Sequence, residues 1–105
     1  MPAGKYKTIM NREDVLRTLT EHKEEIRSLG VKSLAIFGSV SRNEASGESD
    51  VDVLVEFEGP VGFFKFMEVK EHLESLLGRE VDLVTRNALR RQLKPRILQE
   101  AVNAF

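Results

Sequence analysis

Apolar residues recur along the chain at two different spacings, which divide it into alternating helical and extended segments. Over 11–29, Val15, Leu16, Leu19, Ile26 and Leu29 fall at helical intervals. Asn11 stands as the N-cap, Glu13 and Asp14 occupy the first turn where the helix dipole favours acids, and Gly30 is the expected stop. "VKSLAIF" follows as a short, continuously apolar strand, then a short helix over 39–44 and the loop "SGES". "DVDVLVEF" predicts a second strand, apolar on both faces beyond its first residues, as a central strand covered on both sides would be. Glu58-Gly59-Pro60 breaks it. The next helix spans 63–77 and ends at Gly78, with Phe63, Phe66, Val69 or Lys70, Leu73 and Leu76 or Leu77 on one side. "REVDLVT" is a third strand with Asp82 in its middle. Asn87 caps a short turn through Leu93, and Pro95 suits the first turn of a last helix carrying Ile97, Leu98, Ala101 and Val102. This order predicts an α/β domain of two or three layers around a small sheet.

Composition narrows the class. A chain of 105 residues is expected to form one domain, 1–105, burying roughly two-thirds of its unfolded surface. No apolar run approaches a membrane span, and the N-terminal stretch lacks the apolar core of a signal peptide. With no cysteine, disulfides and thiolate metal sites are excluded and a cytoplasmic chain is expected. His22 and His72 fall in helical stretches and read as surface residues. A zinc site would need carboxylates to complete it, whereas a hard, oxygen-ligated ion such as Mg²⁺ suits the residues present. The net charge of -1 argues against bulk attraction to nucleic acid. Yet Arg86, Arg90, Arg91, Lys94 and Arg96 follow one another with no acid between them. They form either the solvated face of a terminal helix or a surface for an acidic partner or for phosphates. Phe63, Phe64, Phe66 and Met67 are assigned to the core, but all four cannot share one helical face, so some are candidates for a partner surface.

The chemistry concentrates in "IFGSVSRNEASGESDVDVLVEF", 36–57. Residues two apart on a strand point to one face, so Asp50 and Asp52 project together. At about 4 Å their repulsion is about 4 kcal/mol at an effective dielectric near 20, which folding alone gives no reason to tolerate. A shared divalent cation does. Asp82 sits on a strand of similar character, and if the two strands pair, a third carboxylate joins the site. Gly38 and Ser39 follow the first strand and open a helix, where backbone N–H groups and the Ser39 hydroxyl can cradle a phosphate. Arg42 on the same short helix can reach that phosphate with its planar fork. Each piece alone is weak: Gly-Ser is commonly just a turn, Asp-x-Asp a solvated strand end, and Asp82 a partner for Arg79 or Arg86. For Ser49, a loop hydrogen bond is a simpler role than chemistry. Together they are the equipment of phosphoryl or nucleotidyl transfer.

"GSVSRNEASGESDVDVLVEF" resembles the signature of the minimal nucleotidyltransferases (MNT) of the DNA polymerase beta superfamily. The likeness continues through "GREVDLVTRNAL" to "ILQEAV". It implies a small mixed β-sheet flanked by helices, the palm-like nucleotidyltransferase fold, binding ATP with two Mg²⁺ ions. By this resemblance Gly38 and Ser39 hold the triphosphate, with Arg42 as the motif arginine and Ser49 as a further nucleotide-binding candidate. Asp50 and Asp52 ligate metal, and Asp82 ligates the catalytic metal and helps deprotonate the acceptor hydroxyl. Minimal members are similar to antitoxins whose partner is a ribonuclease toxin with the higher eukaryotes and prokaryotes nucleotide-binding (HEPN) domain. The implied reaction moves AMP from ATP onto a toxin tyrosine. Larger relatives carry a further domain for the acceptor, for which 105 residues leave no room, so the partner protein is expected to supply the hydroxyl. Two other readings stand beside this one: a non-catalytic nucleotide-binding module that neutralises its partner by contact, and transfer to a small molecule or RNA within a larger complex.

Overall fold

The computed structural model describes residues 11–38, 50–85, 88 and 94–105. Its elements are α1 (Arg12–Glu21), α2 (Lys23–Arg27), β1 (Val31–Phe37), β2 (Val51–Phe57), α3 (Phe63–Leu77), β3 (Val81–Thr85), α4 (Lys94–Glu100) and β4 (Val102–Asn103). The expected short helix over 39–44, the loop after it and the turn from Asn87 lie outside the described residues.

Helix α1 starts where its cap is written. The Asn11 side chain accepts from the Asp14 backbone N–H at 2.9 Å, and the Asp14 carboxylate accepts from the Asn11 N–H at 3.4 Å, a reciprocal capping box. The helix does not continue unbroken to Gly30 as the spacing predicted. The backbone turns at His22, whose ring Nδ1 lies 2.8 Å from the Thr18 carbonyl, while the Thr18 and Thr20 hydroxyls donate to the carbonyls of Asp14 and Leu16. Side chains competing for helix carbonyls in this way bend or interrupt a helix. Helix α3 matches its predicted bounds and closes on Gly78 in the left-handed conformation.

The four strands form one mixed sheet in the order β3-β2-β1-β4. Strand β1 pairs antiparallel with β2 and with β4, and β2 pairs parallel with β3 through the α3 crossover. Strand β4 corrects the sequence expectation. Val102 belongs not to the last helix but to a two-residue strand opposite Ile36, and the Ala104 N–H donates to the Leu34 carbonyl at 2.8 Å. Helical spacing at Val102 loses to the unpaired backbone groups along the open edge of β1, which the chain end satisfies.

One sheet face carries Leu34, Ile36, Val51, Val53, Val55, Val81 and Leu83, and packs with Val15, Leu19, Ile26, Val69, Leu73 and Leu77 from the helices. All are essentially buried, each Val or Leu contributing about 1.5–3 kcal/mol of transfer free energy. On the opposite face Ala35 and Leu54 are paired across β1 and β2 and are also buried. Strand β2 is therefore central and covered on both sides, as its apolar run predicted.

Candidate active site

Asp52 is the second residue of β2. In register it faces Phe37, the last residue of β1, on one side and Asp82, the second residue of β3, on the other. Parallel strands stand about 4.8 Å apart, and directly paired residues project to the same face. The fold thus sets two carboxylates side by side, Asp52 half-buried and Asp82 exposed, on the face opposite to Val51, Val53, Val81 and Leu83. At that strand spacing their repulsion would be about 3 kcal/mol at an effective dielectric of 20 and about 1 kcal/mol in bulk water. The pairing of β2 with β3 on which the third carboxylate depended is present.

Where β1 ends, Gly38 takes φ +73°, in the left-handed region. A Cβ placed on Gly38 would run into Asp52 Oδ2 and lie only 3.1 Å from its Cγ. Glycine is required here twice over, for its dihedral angle and for the Asp52 carboxylate lying against its backbone. The sequence suggested close approach of a ligand at Gly38; the structure adds that Asp52 itself makes one.

Asp50 is exposed and stands one residue before β2, which begins at Val51 rather than at Asp50. Among the described residues, no three histidine, aspartate or glutamate side chains are gathered closely enough to hold a metal ion. The structure brings Asp52 and Asp82 together and leaves Asp50 at the mouth of the same strand. These donors are hard carboxylate oxygens, which fit Mg²⁺ by type. Ser39, Arg42 and Ser49 lie outside the described residues, as do Arg86, Arg90, Arg91 and the side chains of Lys94 and Arg96.

The start of β3 is held by a contact that sequence reasoning did not anticipate. Glu74 of α3 accepts two hydrogen bonds on Oε2, from Lys70 Nζ at 2.9 Å and from the Val81 backbone N–H at 2.9 Å. The Lys70 ammonium and then the Val81 N–H hold the Glu74 carboxyl below the usual carboxylate range, and Glu74 in turn raises Lys70. The Lys70–Glu74 spacing of four was a readable helix pair. Its bond across the turn to Val81 had no local signal.

Both histidines are partly exposed on the helices, and each makes a contact there. His22 makes the α1–α2 corner, and His72 Nε2 lies against Glu25 Oε2 of α2, without hydrogen-bond alignment, as an ion pair when the imidazole is protonated. Phe63 and Phe64 depart from the core assignment: they are 69% and 87% exposed and stack edge to face with ring centroids 5.8 Å apart. They begin α3, six residues beyond the end of β2 that lies away from Asp52. The pair therefore does not line the carboxylate site.

The small mixed sheet, with carboxylates in register at the start of two parallel strands and Gly38 lying against one of them, is a fold of the nucleotidyltransferase class. The nucleotidyltransferase domain family matches residues 19–104, and the chain belongs to that family. It is 44% identical over 91 residues to the protein adenylyltransferase MntA of Thermococcus cleftensis, covering 86% of this chain and 92% of that protein. A solved structure described as a minimal nucleotidyltransferase superposes with a TM-score of 0.70 at 36% identity, covering 89% of this chain and 95% of that one. A complex of the tri-AMPylated Shewanella oneidensis HEPN toxin with an MNT antitoxin matches at TM-score 0.62 and 18% identity, over 86% of this chain and 71% of that one. At that identity the likeness is one of fold. Among the described residues no helix is long and apolar enough to cross a membrane.

Proposed function

We propose that this protein is a Mg²⁺-dependent protein adenylyltransferase of the antitoxin type, moving AMP from ATP to a tyrosine hydroxyl of a HEPN-domain partner. The observation that carries the proposal is the Asp52–Asp82 register pair with Gly38 packed on Asp52. It is supported by the identity to MntA and by the fold shared with an antitoxin whose toxin partner is AMPylated.

In this reading Gly38 and Ser39 hold the triphosphate, with Arg42 and Ser49 on the same nucleotide. Asp50, Asp52 and Asp82 would hold two Mg²⁺ ions, which when bound neutralise phosphate charge and polarise the α-phosphorus. Asp82, the more exposed of the register pair, faces the acceptor and takes up the tyrosine proton. The tyrosine oxygen bonds to the α-phosphorus, the bond from that phosphorus to the bridging oxygen breaks, and pyrophosphate leaves with the electron pair. Asp52 is held for its part by its packing on Gly38, the residue that follows β1.

The experiment is to mix the protein, Mg-ATP and the protein encoded beside it, and to map added AMP by mass spectrometry. AMP on a partner tyrosine, lost with Asp52→Asn and Asp82→Asn, is the expected result. An unmodified partner whose toxicity is still suppressed by Asp50→Asn would replace this reading with neutralisation by binding alone.

A further inference from the structure

Among the described residues strand β3, five residues long, is the edge of the sheet and is bonded to β2. In a parallel ladder, alternate residues turn their N–H and C=O groups toward the neighbouring strand and the rest turn them away. The Val51 N–H donates to the Glu80 carbonyl at 3.0 Å, so Glu80 faces β2 and the next residue, Val81, turns its N–H to the open edge. Glu74 takes that N–H. The strand start is thereby gripped from both sides, by β2 at Glu80 and by α3 at Val81, immediately before Asp82. Helix α3 is itself anchored by Val69, Leu73 and Leu77 in the core, so the Glu74 carboxylate is presented from a fixed frame. Lys70, one turn earlier, bonds the same oxygen and orients it.

We infer that Glu74 is a positioning residue: through the Val81 N–H it sets where Asp82 stands beside Asp52. The inference rests on the role proposed above for Asp82. Glu74 lies on the helix side of the strand and touches neither carboxylate, so its effect passes through backbone. Loss of the bond frees the start of an edge strand and lets Asp82 move along or away from β2, while the Gly38 side, on β1, keeps its geometry. Turnover should therefore suffer and ATP binding should not.

The test compares Glu74→Ala, Glu74→Gln and Asp82→Asn in the full chain. Val81 amide exchange is followed by NMR, and kcat and KM for ATP are followed for AMP transfer to the co-expressed partner. Glu74→Ala is expected to speed Val81 exchange and lower kcat by about tenfold each, with KM for ATP within about twofold. Glu74→Gln, whose amide oxygen still accepts, should keep Val81 protected and retain most of kcat. A Glu74→Ala protein with Val81 released but kcat unchanged would overturn the inference, as would a Glu74→Gln protein that keeps Val81 protected and yet loses turnover. Should Glu74→Ala fail to fold, Lys70→Met serves: exchange at Val81 and kcat should change in step, and faster exchange with undiminished kcat would refute positioning. If Asp82→Asn itself transfers AMP normally, the proposed role of Asp82 fails whatever Glu74 does. If Asp82→Asn is crippled and Glu74→Ala is not, the inference about Glu74 fails alone.

Discussion

Gly38→Ala is the smallest change that reaches the site, one methyl group. It acts in two ways. An alanine at φ +73° occupies the left-handed region, which costs about 1–2 kcal/mol. The new Cβ also overlaps Asp52 Oδ2, so the Asp52 side chain must leave its position, adding about 0.5–1.5 kcal/mol if it settles off a rotamer minimum. The sum is about 1.5–3.5 kcal/mol, or roughly 6–28 °C in Tm for a domain of about 100 residues. Gly59→Ala is the control, because a Cβ there meets nothing within 4 Å, and it should change stability by less than about 0.5 kcal/mol. Urea denaturation gives the stability difference, and calorimetry with Mg²⁺ and AMP-PNP gives nucleotide affinity. Displacing Asp52 should weaken that affinity beyond what the stability loss explains. If Gly38→Ala is as stable as Gly59→Ala and binds Mg-AMP-PNP like the parent, the packing of Asp52 on Gly38 has no role.

If Asp52 helps hold the metal, Mg-ATP at a hundredfold excess over its Kd should stabilise the parent by about 2.7 kcal/mol, and Asp52→Asn should lose most of that shift in a melting experiment. Asp82→Asn should retain the nucleotide-induced shift while slowing AMP transfer, as measured by release of pyrophosphate. Leu73→Ala opens a cavity beneath a fully buried position and should cost about 2–5 kcal/mol, whereas Phe64→Ser, at an exposed ring, should leave unfolding by urea nearly unchanged. The Glu74 carboxyl is held below its ordinary value of 4.5, so its contribution to stability is present above that value and is lost as the pH falls through the lower folded-state value. Acid titration of the unfolding free energy should therefore show the difference between parent and Glu74→Gln shrinking only below pH 4.5.

Much of the architecture is local in origin and was legible as such. Asn11 and Asp14 lie three residues apart and cap one another whatever else the chain does. Gly78 ends α3 because it alone tolerates the left-handed turn cheaply, and the apolar run Val53-Leu54-Val55 in β2 announced burial on both faces. The three aspartates and the Gly-Ser turn were visible as residues out of keeping with their surroundings. What no local pattern contains is which groups meet. Asp52 and Asp82 are thirty residues apart and become neighbours only because β3 pairs with β2 in one register, chosen by burying Val81 and Leu83 beside Val51 and Val53. The same holds for the approach of Gly38 to Asp52 and for the hold of Glu74 on Val81. Val102 reads as helix from its spacing and becomes strand because β1 leaves an edge to be filled, while Phe63 reads as core and stays exposed at the start of α3. Residue type and spacing chose the candidates. The pairing of distant segments, decided by the free energy of the whole core, determined which of them stand together.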